Sequence, residues 1–276
     1  MDNLRSYERR GKFLKIKVGV PKMIKMILAN AIFMVLFSFS ALSDELALSF
    51  SEVSKLPIHS FEQDKAKANI VAFVGGKGLK NNQGKSKNFL VHQKHTFIAA
   101  GLNFYLFPNW SKNEKATYKL RASEDRARRI LNLVKGIGKR NILPTYLVGF
   151  SRGSVDAARF SKLFADYIKG VVLASAVYTN PSRKAQHYSM ERVLGSKANV
   201  SVLVAHHEKD RCHVTPFFYA KGFFDELKAP RKTLLSYKDG ETSGRECGPL
   251  NHHGFEGIQV QVANDIAKWI AADSAK

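Results

Sequence analysis

The sequence predicts an α/β protein with a mostly parallel central sheet and helices on both faces. Apolar runs of the kind found in buried strands alternate along the chain with longer segments of helical periodicity. This alternation favours strand–helix–strand units, whose strands pair in parallel. A chain of 276 residues with 45% hydrophobic residues is long enough to bury one sizeable core of this type.

The predicted elements follow one another from about residue 69 to the C-terminus. Short apolar runs predict strands at residues 69–73, 103–107, 144–148, 170–176, 200–206 and 232–237. Apolar residues three and four positions apart predict helices at residues 123–139, 154–167, 216–227 and 255–272. Only 22 residues separate the strands that end near 177 and begin at 200. That length leaves room for a small cap or none, which predicts an open and shallow site.

The pentapeptide Gly149-Phe150-Ser151-Arg152-Gly153 lies between a predicted strand and a predicted helix. In a Gly-x-Ser-x-Gly turn of this kind, the serine sits on strained backbone and the glycines let neighbouring chain approach without Cβ clashes. The serine hydroxyl then projects from the end of the sheet, beside the positive end of the following helix. Ser151 is therefore the candidate nucleophile.

Residues that suit the partners of a nucleophilic serine follow in the expected order. A serine hydroxyl is a poor nucleophile at neutral pH, so a histidine must take its proton and a carboxylate must orient that histidine. Asp210 lies just beyond the predicted strand 200–206, and His252 and His253 lie in a loop before the last helix. The order serine, aspartate, histidine is one of the known orders for such a triad.

In these motifs and their order the chain resembles the α/β-hydrolase superfamily, in particular its small secreted bacterial members, from about residue 69 to the C-terminal helix. The resemblance implies an ester-cleaving serine hydrolase that works through an acyl-enzyme, with a small-molecule or lipid-like substrate. It places the base directly before Gly254-Phe255, which favours His253 over His252. Thioesterase, lipase and peptidase activities share this fold and stay open. A non-catalytic protein that binds the cell envelope through its basic surface is the alternative from another class.

The resemblance also implies an oxyanion hole made of two backbone N–H groups. A His-Gly-x turn commonly supplies one of them in this family, and here Val74 stands where that histidine is common, so the match is partial. By position, the amides of Gly76 and of Arg152, the residue after Ser151, are the expected donors.

Two other patterns do not predict a ligand site. Residues 78–86 follow a strand as a phosphate-binding loop does, but five residues instead of four separate Gly78 from Gly84, so a polar loop beside the active site is predicted. Residues 206–213 include side chains of the types that bind metals, in a spacing that fits no standard zinc pattern. The sequence therefore predicts neither a cofactor nor a metal.

The first 43 residues predict a secretory signal. Residues 26–43 carry no charge, follow Lys22 and Lys25, and end in small residues at the positions that a signal peptidase reads. Their apolar centre, about residues 27–39, is shorter than the ~20 residues of a membrane span. We therefore expect a cleaved signal at 1–43 and a single periplasmic or secreted domain at 44–276; an uncleaved inner-membrane anchor is the alternative.

The chain has two cysteines, and both lie near residues of the proposed triad. Cys212 follows Asp210 by two residues, and Cys247 precedes His253 by six. A disulfide between them would tie the aspartate loop to the histidine loop. Disulfides persist in the compartments that a secretory signal leads to, so we predict this bond.

The chain is strongly basic, with a formal net charge of +21. The first 43 residues hold eight Lys or Arg and two Asp or Glu, which leaves +15 on residues 44–276. Such a charge attracts polyanions, so association with an anionic envelope surface is one interpretation; a generally basic composition without a specific partner is the other, and the more common one. The lysines are scattered and form no recognisable nucleic-acid motif, so no specific nucleic-acid partner is expected.

Overall fold

The computed structural model describes residues 52–80, 86–178 and 185–276, and the predicted signal segment lies outside these ranges. The strands of the described residues form one sheet. They are β1 His59–Phe61, β2 Ala68–Phe73, β3 Leu102–Leu106, β4 Thr145–Phe150, β5 Gly170–Ala174, β6 Ser201–His207 and β7 Lys232–Tyr237. The helices are α1 Phe89–His92, α2 Lys94–Ala99, α3 Tyr118–Arg121, α4 Glu124–Arg140, α5 Gly153–Leu163, α6 Met190–Val193, α7 Phe217–Glu226 and α8 Gln259–Ser274.

The sheet has the strand order β1-β3-β2-β4-β5-β6-β7. β1 pairs with β3 in antiparallel orientation, and every other neighbouring pair is parallel. The predicted α/β class with a mostly parallel sheet is therefore confirmed. The strand order reverses between β2 and β4, and in open α/β sheets ligands bind at such a switch point, beyond the carboxyl ends of the strands.

Both faces of the sheet are covered, which explains why the strands read as continuous apolar runs. Along β2, Val71 and Phe73 pack into the cluster that contains α4, α5 and α7 residues. Ile70 and Ala72 point to the opposite cluster, which contains residues of α1, α2 and α8. This two-sided burial holds the carboxyl ends of β2, β4 and β6 in fixed register.

Several predicted boundaries differ from those observed, and backbone conformation explains two of the differences. The strand predicted to reach residue 176 ends at Ala174, because Ser175 has a φ of 41°. The last helix begins at Gln259 instead of residue 255, because Phe255 has a φ of 58° after the short 3-10 turn His252–Gly254. The helix predicted at 154–167 ends at Leu163, and a separate 3-10 turn, Ala165–Tyr167, follows it.

The described part of the connection between β5 and β6 packs against the core. It contains one short helix, α6, whose Met190 and Val193 are buried in the cluster beside α5. This agrees with the prediction of a small or absent cap. Among the helices of the described residues, none combines the length and the apolar character needed to span a lipid bilayer.

Candidate functional site

Ser151 follows the last residue of β4 and precedes the first turn of α5. Its φ of 53° lies in the left-handed region that residues with a Cβ seldom adopt. Gly149 and Gly153 permit this tight turn. A Cβ on Gly149 would lie 2.5 Å from Ser154 Cα, and one on Gly153 would collide with the carbonyl of Phe73 in β2. The predicted strained turn between a strand and a helix is therefore present.

The structure brings Ser151, His253 and Asp210 together although they are far apart in the sequence. Ser151 Oγ lies 3.0 Å from His253 Nε2. His253 Nδ1 lies 2.9 Å from Asp210 Oδ2. His253 and Asp210 are almost completely buried, and Ser151 is half-buried at the end of the sheet. The three side chains form a continuous hydrogen-bonded chain from a buried carboxylate to a partly accessible hydroxyl.

Asp210 accepts several hydrogen bonds in its buried position. The Cys212 backbone N–H donates to Oδ1 at 2.9 Å, and the Thr215 hydroxyl donates to Oδ2 at 2.9 Å. His206 Nε2 lies 3.3 Å from Oδ2. Burial by itself would raise the pKa of Asp210, but interactions with His253 and His206 outweigh it and hold this pKa well below its usual range. Asp210 is therefore ionised at neutral pH.

The hydrogen bonds around His253 define which ring nitrogen carries a proton. Nδ1 faces Asp210 Oδ2 and lies 3.1 Å from Thr215 Oγ1. Because the Thr215 hydroxyl already donates to Asp210, Nδ1 must be the donor toward these oxygens. In the neutral ring, Nε2 then has a free lone pair and accepts from Ser151 Oγ.

His252 occupies a different environment from His253. Its ring stacks on His207 at a centroid distance of 4.2 Å and an interplanar angle of 17°. His207 in turn donates from Nε2 to the Asp239 carbonyl and accepts at Nδ1 from the Lys209 backbone N–H. His252 therefore packs on the loops beside the site, while His253 lies between Ser151 and Asp210.

The two backbone N–H groups expected to bind an oxyanion belong to turns on either side of Ser151. Gly76 has a φ of 59° in the turn after β2, and Arg152 begins the turn into α5. Within the described residues, neither amide donates a hydrogen bond to the protein. Gly75, beside Gly76, approaches closely enough that an added Cβ would lie 3.0 Å from Ser151 Cβ. The Arg152 side chain lies over the Tyr118 ring at 5.0 Å.

A cavity of about 380 Å³ opens in front of Ser151, and we call it the Ser151 cavity. It lies beyond β2 and β4, at the switch point of the sheet. Both apolar and polar side chains contribute to its wall. The lining residues are Val74, Gly75, Gly76, Lys77, Gly78, Leu79, Lys80, Ser86, Lys87, Asn88, Phe150, Ser151, Cys247, Pro249 and His253.

The predicted disulfide between Cys212 and Cys247 is present. Cys212 is buried in the loop whose backbone also hydrogen-bonds Asp210. Cys247 ends an exposed stretch, residues 238–247, that leads toward His253. The bond therefore connects the loop of Asp210 to the stretch that leads to His253.

Reduction of this disulfide is expected to lower both stability and activity. The bond joins residues 35 positions apart, for which the chain-entropy model gives roughly 3–4 kcal/mol. A loss of that size lowers the midpoint of thermal unfolding by about 10 °C. The ester hydrolysis expected from the sequence should also fall about tenfold at 25 °C, because a misplacement of ~1 Å at a catalytic group can cost on the order of 100-fold.

Thermal unfolding and ester hydrolysis, each with and without dithiothreitol, measure these effects. A Cys212→Ser/Cys247→Ser variant is the control, since its activity should not respond to the reductant. If the reduced wild type keeps full activity, the disulfide contributes to stability but not to catalysis.

A buried ion-pair network joins the turn after β2 to the helix after Ser151. The carboxylate of Asp156 in α5 pairs with Arg121 and with Arg126, at 2.5 Å from Arg126 Nε. Arg121 also donates from Nη2 to the Val74 carbonyl at 2.9 Å, and the Gly76 carbonyl lies 3.5 Å away. Both arginines are only 1% exposed. Arg121 therefore links the segment that contains Gly76 to the helix that follows Ser151.

The Arg121→Met variant should lose about 3–5 kcal/mol of unfolding free energy. Breaking a buried ion pair leaves a buried charge with less compensation, and here it also removes a donor from the Val74 carbonyl. Urea denaturation of the oxidised protein measures the loss. The matched control is Arg128→Met, since Arg128 pairs with Glu124 on the surface and such a pair contributes under about 1 kcal/mol. Equal stabilities for the two variants would refute the importance of the network.

Sequence reasoning missed Thr215 and the role of His206 beside Asp210. His206 Nε2 donates to the Thr215 carbonyl at 2.6 Å, and both residues also contact Asp210. The position of His206 near the end of a buried strand was the available signal. Residues 206–213 do not share one centre, because His207 bonds to Asp239 and Cys212 forms the disulfide.

Sequence comparison and structural comparison give different results for this chain. No protein-family model matches it, and no curated protein matches it in sequence. Many solved structures are similar in fold.

One such structure is Est1E from Butyrivibrio proteoclasticus with bound ferulic acid, with a TM-score of 0.58 and 14% identity, covering 80% of this chain and 97% of that one. The monoacylglycerol lipase of Paleococcus ferrophilus has a TM-score of 0.54 and 16% identity, covering 80% and 100%. An alpha-beta serine hydrolase homologue from Coxiella burnetii has a TM-score of 0.54 and 12% identity, covering 77% and 90%.

Proposed function

Because this chain has the α/β-hydrolase fold, we propose that it is a serine hydrolase that cleaves carboxylic esters, with Ser151 as nucleophile, His253 as base and Asp210 as the orienting acid. The observation that carries the proposal is the hydrogen-bonded chain from Asp210 through His253 to Ser151. A charged carboxylate behind Nδ1 stabilises the imidazolium that forms when Nε2 takes a proton.

In the first half of the proposed reaction, Ser151 Oγ attacks the ester carbonyl carbon while His253 Nε2 takes the hydroxyl proton. The carbonyl oxygen becomes an oxyanion, and the amides of Gly76 and Arg152 are the proposed donors to it. Their lack of protein acceptors within the described residues supports that assignment. The tetrahedral intermediate then collapses, the bond to the alcohol oxygen breaks, and the alcohol leaves with the proton from His253.

In the second half, water attacks the acyl group on Ser151. His253 takes a proton from this water, and a second tetrahedral intermediate forms on the same oxyanion donors. Its collapse returns the proton to Ser151 Oγ and releases the carboxylic acid. Asp210 does not change protonation state, which its lowered pKa favours.

Labelling with a serine-directed fluorophosphonate tests the proposal. Such a reagent phosphonylates a serine whose hydroxyl is activated by a base, and mass spectrometry of the digested protein should find the label on Ser151. An absence of label, together with no turnover of any ester, would instead favour the alternative of a non-catalytic protein that binds the envelope.

A substrate panel separates the activities that share this fold. We propose an esterase with an accessible acyl site, because the Ser151 cavity measures about 380 Å³ and the described part of the β5–β6 connection packs on the core. Rates on p-nitrophenyl esters of increasing chain length, beside a thioester and a peptide, should be highest for the shorter esters. A preference for long chains, the thioester or the peptide would identify a lipase, a thioesterase or a peptidase.

We further propose that the enzyme acts outside the cytoplasm. The signal-like residues 1–43 and the Cys212–Cys247 disulfide support this location, since disulfides persist in oxidising compartments. Fractionation of cells that express the full chain, followed by N-terminal sequencing, tests export and cleavage together. An intact N-terminus in the membrane fraction would support the inner-membrane anchor instead.

A further inference from the structure

The described lining of the Ser151 cavity carries positive charge. In the sequence, residues 77–88 include four lysines and no acidic residue. Three of these lysines, Lys77, Lys80 and Lys87, line the cavity, and we call them the lysine rim. None of the described residues that line this cavity is an aspartate or a glutamate.

Among the described residues, no acidic side chain compensates the charges of the lysine rim. Lys77 and Lys87 are exposed and Lys80 is half-buried. Ion pairs of other lysines occur in the structure, for example Lys221 with Asp225, but within the described residues no carboxylate pairs with the lysine rim. Cationic groups that share one concave wall add their fields there and raise the local concentration of anions.

The rest of the wall offers both apolar and hydrogen-bonding surface. Val74, Leu79 and Phe150 contribute buried apolar side chains, while Ser86 and Asn88 lie next to Lys87 on the same loop. A ligand matched to this wall has an apolar part near Ser151 and an anionic group at the lysine rim. A neutral ester would leave the three charges without a partner.

We infer that the preferred substrate is an ester that carries a carboxylate or phosphate group close to the scissile bond, and that the lysine rim binds this group. The inference rests on the proposed esterase function and adds the substrate class. The anionic group can belong to a small soluble ester or to a lipid headgroup, because the lysine rim would bind the same chemistry in both.

Matched ester pairs measure the preference for an anion. Monoethyl succinate and ethyl butyrate place the charge on the acyl side, and 4-acetoxybenzoate and phenyl acetate place it on the alcohol side. Dihexanoyl phosphatidylglycerol and the uncharged dihexanoylglycerol, used as monomers, test a lipid headgroup. A pH-stat gives kcat/KM for each ester. In at least one pair, kcat/KM of the anionic ester should exceed that of its neutral partner. The pairs that show this preference identify where the bound anion lies: on the acyl side, on the alcohol side or in a lipid headgroup.

Substitution of the lysine rim should remove this preference. In Lys77→Gln/Lys80→Gln/Lys87→Gln, kcat/KM for the preferred anionic ester should fall about tenfold relative to its neutral partner, because one unit charge at 4 Å in water contributes a factor of ~5 and more distant charges contribute less. Because the ratio of kcat/KM for the anionic and the neutral ester is compared between wild type and variant, differences in the intrinsic reactivity of the two esters cancel. Raising the salt concentration to 0.5 M should shrink the wild-type preference, because the charges are solvent-exposed.

The control variant is Lys139→Gln/Lys169→Gln/Lys228→Gln, which changes the net charge equally at exposed lysines outside the cavity. In this variant, the ratio of kcat/KM for the anionic and the neutral ester should stay within about twofold of the wild-type ratio. Equal losses in both triple variants, or no anionic preference in the wild type while the neutral esters are cleaved, would overturn the inference and leave the esterase proposal intact. If the wild type cleaves no ester and the fluorophosphonate labels no serine, the proposed function itself fails.

Discussion

Replacing Ser151 by alanine is expected to abolish ester hydrolysis while the fold is retained. The variant removes the atom that we propose forms the acyl-enzyme, and loss of the nucleophilic serine in a known serine protease lowers kcat by on the order of 10⁶. The remaining rate would come from the cavity and its backbone donors. Stability should change little, because the serine side chain is half-buried and its hydroxyl hydrogen-bonds only His253 among the described residues.

Initial rates on a short p-nitrophenyl ester, with thermal unfolding measured on the same preparation, test this expectation. Ser86→Ala is a suitable control, because Ser86 lines the same cavity and its Oγ accepts, among the described residues, only from the Asn88 backbone N–H. The Ser86→Ala variant should lower the initial rate by less than about tenfold. Near-wild-type turnover by purified Ser151→Ala would rule out Ser151 as the nucleophile.

The strands could be predicted because they are buried on both faces. Continuous apolar runs identified the positions of β2, β4 and β6 to within two residues, and the bounds predicted for β7 match those observed. β1 was not predicted. It is three residues long, and only its antiparallel pairing with β3 makes it a strand, which a local pattern does not show.

Backbone conformation limited the prediction of the loops around the site. The apolar pattern of α8 extends back to Phe255, yet that residue adopts a left-handed conformation that ends a 3-10 turn. This turn positions His253. Side-chain preferences did not indicate a non-glycine residue in that conformation, so the helix was predicted to start too early.

The partners of the candidate site depend on tertiary contacts. The Gly-x-Ser-x-Gly pattern and the chain order singled out Ser151, Asp210 and His253, which the structure brings together. Thr215 lies in a loop without a recognisable pattern and reaches Asp210 only because the loop folds back. Likewise, nothing in the sequence distinguishes buried Arg121 from exposed Arg128.

The adjacent histidines provide the sharpest internal test of the proposed mechanism. His253→Ala should lower kcat about as much as Ser151→Ala, on the order of 10⁶, because residues that act as a unit show similar individual losses. His252→Ala should lower kcat roughly tenfold or less, since His252 stacks on His207 and it is His253 that hydrogen-bonds Ser151. Fluorophosphonate labelling should slow in the first variant and persist in the second.

His253 is buried against Phe150 at a ring centroid distance of 5.4 Å, so its truncation also leaves a cavity. His253→Gln, which retains more of the side-chain volume, separates loss of the base from loss of packing: it should stay near the wild-type unfolding midpoint and remain inactive. Active His253→Gln would exclude His253 as the base. A large loss in His252→Ala with activity kept in His253→Ala would transfer that role to His252, while the Ser151 acyl-enzyme would still stand.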